Sequence, residues 1–126
     1  MTNVNNVLEI DLQTTATRVA FCYGSKAYRK YIEEQFGLES EITASGCTQV
    51  VTNNNTGAFR LVICVKKIKD IYELKGLVVH ELNHVVTEWF NHFGFNCDEL
   101  RSYTFQYLYQ EIMVSLDKKL EKKASK

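Results

Sequence analysis

Proline is wholly absent from the 126 residues and there are only six glycines. Turns and helix ends must therefore be marked by glycine, asparagine and serine, with no fixed-φ breaks. An excess of one charge is also lacking, because fifteen basic and fifteen acidic residues cancel. A nucleic-acid binder ordinarily shows a basic excess or stripe, so no nucleic-acid partner is expected. The one basic concentration is the tail of about 118–126, with Lys118, Lys119, Lys122, Lys123 and Lys126, which reads as a solubilising, flexible and frayed helix end. No run approaches the ~20 apolar residues of a membrane span. Met1 to Asn6 are polar and uncharged, without the positive start and apolar stretch of a secretory signal. A cytoplasmic protein with no membrane partner is the expectation. Cys22, Cys47, Cys64 and Cys97 are scattered, with no Cys-x-x-Cys pair. They read as reduced, buried small hydrophobes, and close cysteine pairs for a structural zinc site are missing.

What is present suffices for a core. Apolar residues make up 45% of the chain and aromatics 12%, and a domain of this size buries roughly two-thirds of the surface its unfolded chain exposes. One domain over residues 1–126 is expected. Alternation marks a strand at Val7 to Leu12, and a more apolar strand follows at Arg18 to Tyr23. Ser25 reads as the N-cap of a helix over Lys26 to Phe36, closed by Gly37. Cys47 to Thr52 and Ala58 to Lys66 are rich in β-branched residues and flank Asn53-Asn54-Asn55-Thr56-Gly57, which predicts a hairpin with a five-residue loop. A short turn or helix around Asp70 to Leu74 comes next, and helix resumes through Phe93 to a stop at Gly94. A last helix runs from about Asp98 to Leu120. This order predicts an α+β fold, with an antiparallel or mixed sheet and helices packed on it.

One motif carries chemistry: His80-Glu81-Leu82-Asn83-His84. On a helix, positions i and i+4 differ by only about 40° in azimuth, so both imidazoles point to one side and can share a metal. Glu81 lies about 100° round from His80, where a carboxylate can reach a water without becoming a ligand. Zn²⁺ lowers the pKa of such a water towards ~7 and the glutamate takes its proton, which produces the nucleophile for amide hydrolysis. Val78, Leu82, Val85, Val86, Trp89 and Phe93 form a broad apolar face beside the three polar residues, which sets them at the border of core and cleft. The plain alternative is an amphipathic helix with two surface histidines. His92 does not fit the spacing of the longer three-histidine motif, and suits a cation near a helix C-terminus.

A third metal ligand has to come from elsewhere. Gly94, Phe95 and Asn96 reverse the chain, so the next helix can run back across the motif, with Glu99 in its first turn. Asn96-x-x-Glu99 is equally a capping box, in which Glu99 bonds back to the Asn96 backbone. Asp98 is another oxygen ligand candidate and another candidate cap.

From Val78 to Leu116 the chain resembles the small zincin-like metallopeptidases of bacteriophage genomes. Those proteins carry H-E-x-x-H, a short turn with glycine, then an acidic pair and a small residue followed by an aromatic. Here that stretch reads Asp98-Glu99-Leu100-Arg101-Ser102-Tyr103. The order of elements resembles the minigluzincins, which have a backing helix, a short sheet, an active-site helix and a glutamate helix. The resemblance implies that Glu99 is the third zinc ligand and that Tyr103, one turn on, faces the site. It also implies that Ser102 is the small residue that lets the two helices approach. Over the first 70 residues the likeness is of layout only. Tyr103 would then polarise a carbonyl or stabilise an oxyanion; its other reading is packing beside Phe105, Tyr107 and Tyr109.

Two functions follow as expectations. The first is a zinc metallopeptidase acting on a peptide or protein substrate, with His80, His84 and Glu99 as ligands and Glu81 as general base. The second is a non-catalytic, zinc-stabilised phage accessory or virion component with a phage or virion protein partner. The intact Glu81 favours the first, since a purely structural site has no use for a base. For either, the expected compartment is the host bacterial cytoplasm, with virion association open to the second.

Overall fold

A computed structural model describes residues 2–4, 6–12, 17–40, 44–52 and 59–124. The element order is β1 (Thr2–Val4), β2 (Val7–Leu12), β3 (Thr17–Tyr23), α1 (Ser25–Phe36), β4 (Gly46–Thr52), β5 (Phe59–Val65), α2 (Ile71–Phe93) and α3 (Asp98–Ala124). The strands form one five-stranded sheet in the order β1-β2-β3-β5-β4. β3 and β5 run parallel and the other neighbours antiparallel, so the sheet is mixed and the fold is α+β. A parallel pair needs a long crossover, which here contains α1 and the edge strand β4.

The sheet lies between two helical layers. Strands β3 and β5 are buried on both faces, which explains why they read as nearly continuous apolar runs. Leu8, Ile10, Val19, Phe21, Leu61 and Ile63 face α2 and α3 and pack with Leu82, Val85, Leu108 and Ile112. Ala20, Cys22, Val62 and Cys64 face the other way, against Tyr28, Tyr31 and Ile32 of α1. On that second face three cysteines sit in register across neighbouring strands, Cys22 beside Cys64 and Cys64 opposite Cys47. Near the open end of the same face Arg18 holds Asp11 at 2.8 Å and Glu9 at 3.3 Å.

Several boundaries differ from the sequence reading for local reasons. Ser25 is the first helical residue of α1 and the cap position is Gly24, with no side-chain cap bond. Gly37 does close α1 in the left-handed region. Between Asp70 and Phe93 there is one helix: Asp70 Oδ1 accepts from the amides of Tyr72 (2.9 Å) and Glu73 (3.2 Å), and α2 then runs unbroken for 23 residues. Leu74 and Val78, buried on either side of Gly76, carry the helix across that weak position. Phe90 takes the buried place expected of Phe93, which is 37% exposed. The additional strand β1 pairs antiparallel with β2, and Asn6, just ahead of β2, adopts φ 66°. β4 and β5 pair as the expected hairpin, but its Asn53–Gly57 loop lies outside the described residues. The basic stretch is helical as far as Ala124, and Lys119 Nζ reaches Asn6 Oδ1 at 2.7 Å.

Candidate active site

The site is assembled on the middle of α2, which is locked at both ends. Asp70 caps its start, and at its end Gly94, with φ 71°, turns its own amide to the Phe90 carbonyl. The Phe95 amide reaches that carbonyl too, at 3.0 Å. Burial of Leu74, Val78, Leu82, Val85, Val86 and Trp89 then fixes how the helix is rotated against the sheet. That rotation leaves His80 and His84 exposed on the flank. Their rings meet edge to face, with centroids 4.9 Å apart, and their Nε2 atoms converge to 3.3 Å. Two nitrogens each ~2.0–2.1 Å from one tetrahedral zinc ion are themselves roughly 3.3–3.4 Å apart. The same spacing suits an N–H···N bond between two neutral rings.

Glu81 turns the opposite way from what its surface-flank reading suggests. It is only 4% exposed and points towards β4, where the Thr48 hydroxyl donates to its Oε1 at 2.8 Å. Thr48 Oγ1 also lies 3.3 Å from the Glu81 carbonyl. Two residues earlier on the same strand face, a β-carbon on Gly46 would come within 3.0 Å of Glu81 Oε2. A buried carboxylate without a donor is costly. The edge strand supplies one donor and, through glycine, the space.

The start of α3 is fastened to α2 by Arg101. Its guanidinium donates to Asn83 Oδ1 (2.6 Å) and Thr87 Oγ1 (3.0 Å) and lies 5.9 Å from the centre of the Phe90 ring. Positions 99 and 101 are about 200° apart on a helix, so the turn that aims Arg101 at α2 aims Glu99 elsewhere. Glu99 and Asp98 are exposed. Among the described residues no group of three or more His, Cys, Asp or Glu side chains is placed to hold a metal ion. This corrects the expectation of metal binding at a formed zinc centre of the zincin kind, made of His80, His84 and Glu99. Helix α2 brings its two histidines together; the packing of α3, through buried Leu108, Ile112 and Leu116, does not add the carboxylate. Among the described residues neither the Asn96–Glu99 capping box nor an Asp98 cap bond is seen, and the Arg101 amide bonds to the Cys97 carbonyl.

Tyr103 is 66% exposed. Ser102 is exposed as well, and the buried small polar residue of that stretch is Thr104. His92 occupies the last turn of α2 and stacks on Phe59 with ring centres 3.9 Å apart. Of the cysteines, Cys22 and Cys64 are buried and Cys97 is exposed. Burial raises the Cys64 thiol to about 12 and raises Cys22 further still.

Thr48, Gly46 and Arg101 escaped the sequence reading. Thr48 and Glu81 are 33 positions apart, and a threonine within a β-branched strand carries no local mark of a functional partner. No known family model, curated protein or solved structure matches the chain.

Proposed function

We propose that this chain is a peptidase of the zincin type, hydrolysing peptide bonds with zinc as cofactor and Glu81 as general base. The observation supporting this most is the 3.3 Å convergence of the His80 and His84 Nε2 atoms beside a carboxylate held against an edge strand. A preassembled three-ligand centre is no part of this reading. His80 and His84 are the residues that would hold the ion. The resemblance implies Glu99 as a third partner; its carboxylate makes no hydrogen bond or ion pair among the described residues and would have to swing towards the histidines to serve. Zinc, when bound, supplies a Lewis acid that polarises a carbonyl and acidifies water. Glu81 accepts the proton of the attacking water and returns it to the departing amine. Tyr103, on the exposed side of α3, would assist a developing oxyanion only after substrate arrives.

One observation favours the second reading, a zinc-stabilised phage accessory or virion protein without turnover. Glu81 is buried and bonded to Thr48, so it can serve as a tie between α2 and β4.

Calorimetric titration of the metal-free protein with zinc at neutral pH tests the shared premise. The expected result is about one zinc per chain in wild type, lost in His80→Ala and in His84→Ala. Wild type that takes up no stoichiometric zinc would overturn both readings.

A further inference from the structure

We propose that Thr48 is the positioning residue for Glu81, anchoring one carboxylate oxygen so that the other is left as the proton acceptor, and that Gly46 keeps that second oxygen open. The inference rests on the reading of Glu81 as general base.

The two oxygens of Glu81 have different surroundings. Oε1 accepts the Thr48 hydroxyl at 2.8 Å. The hydroxyl has one proton, and the Glu81 carbonyl at 3.3 Å is the more distant acceptor, already in line for the helical amide four residues on. The proton therefore goes to the carboxylate. Oε2 accepts no hydrogen bond among the described residues. Nor is Oε2 fully enclosed. Oε2 therefore retains contact with solvent although the residue as a whole is 4% exposed. With one lone pair of Oε1 taken by the Thr48 hydroxyl, Oε2 is the oxygen left facing the open side.

The anchor is stiff for reasons visible in the residue types. Threonine carries two heavy atoms on Cβ and is restricted at χ1, and β4 is paired with β5 along its whole length. The hydroxyl direction is thus set by the sheet and not by the glutamate. Gly46 makes the complementary contribution. A β-carbon there would lie 3.0 Å from Oε2 and 3.3 Å from the Cys64 carbonyl. The backbone carbonyl cannot retreat, so a methyl group at 46 would press on the free oxygen.

The test is run first on the metal-free protein. Carbodiimide-driven amidation of Glu81 with glycine methyl ester, followed by peptide mass mapping, reads access to the free oxygen. Thr48→Val keeps shape and strand preference but removes the donor, so Glu81 amidation should rise several-fold; Thr48→Ser should stay near wild type. Gly46→Ala should slow amidation below wild type. Circular dichroism and thermal melting confirm that each variant is folded. A crystal structure of Thr48→Val should show the carboxylate rotated away from β4. In the zinc-loaded protein, with a fluorogenic peptide library as substrate, Thr48→Val should lower kcat about tenfold. KM and zinc stoichiometry should hold, and Thr48→Ser should recover most of the rate. Equal amidation in wild type and Thr48→Val, or an unmoved carboxylate, overturns the positioning role. Wild type that amidates as expected but neither binds zinc nor cleaves leaves the anchor in place and overturns the reading of Glu81 as base.

Discussion

Replacing Glu81 by glutamine separates turnover from a structural tie. In wild type, the Thr48 hydroxyl donates to a buried carboxylate over 2.8 Å, a charge-assisted bond worth about 1.5–3 kcal/mol. Glutamine is nearly isosteric and its carbonyl can accept the same proton, as a neutral bond of about 0.5–1.5 kcal/mol. The loss is offset in part because a charge no longer has to be held at 4% exposure. The net change in stability should stay within about 1 kcal/mol, a shift of about 3–6 °C in Tm for a chain of this length. Zinc content should be unchanged, since both histidines remain. Hydrolysis should fall about 10²–10⁴-fold, because an amide cannot accept the water proton. The assay is cleavage of a fluorogenic peptide library by zinc-loaded protein, with calorimetric melting run in parallel. Equal cleavage by wild type and Glu81→Gln would refute the role of Glu81 as base. Absence of cleavage in both, with a Tm shift alone, would favour the tie between α2 and β4.

Other expected outcomes address the remaining elements. Glu99→Ala should weaken zinc binding in calorimetry while Asp98→Ala leaves it unchanged; equal affinity in both would remove Glu99 from the site. Asp70→Ala deletes the acceptor of two helix-start amides and should cost about 0.5–2 kcal/mol in urea denaturation, with no cost if the first turn of α2 is held by packing alone. Cys22 and Cys64 are buried, with thiols raised by that burial, so a disulfide reagent at pH 8 should modify exposed Cys97 first and those two only on unfolding. Fast reaction of all four in the native protein would contradict the two-sided burial of the sheet.

Local physics made much of this protein legible in its sequence. The i, i+4 spacing alone brings His80 and His84 to one side of a helix, because the separation follows from 3.6 residues per turn and needs no tertiary partner. Gly37 and Gly94 end their helices in the left-handed region, a conformation glycine enters without steric cost. The β-branched runs around residues 47–66 announce the β4–β5 hairpin, and the apolar stripe of α2 gives its buried face.

Everything that required two distant segments to meet was decided by tertiary structure. The sequence reading broke α2 near Leu74, yet burial of Leu74 and Val78 carries one helix across Gly76, a residue of low helix propensity. β1 is short and its sequence is polar, so only pairing with β2 defines it as a strand. The direction of Glu81 depends on a hydroxyl from an edge strand 33 positions earlier, and sequence pattern carries no information on which strand borders which helix. Glu99 shows the same limit from the other side. Its first-turn position is legible, but whether its carboxylate meets the histidines depends on how α3 is rotated, which burial of Leu108, Ile112 and Leu116 constrains and the Arg101 bonds to Asn83 and Thr87 accompany. Periodicity specifies what one helix presents to its surroundings. The relative rotation of two helices is fixed only when their side chains compete for the same contacts.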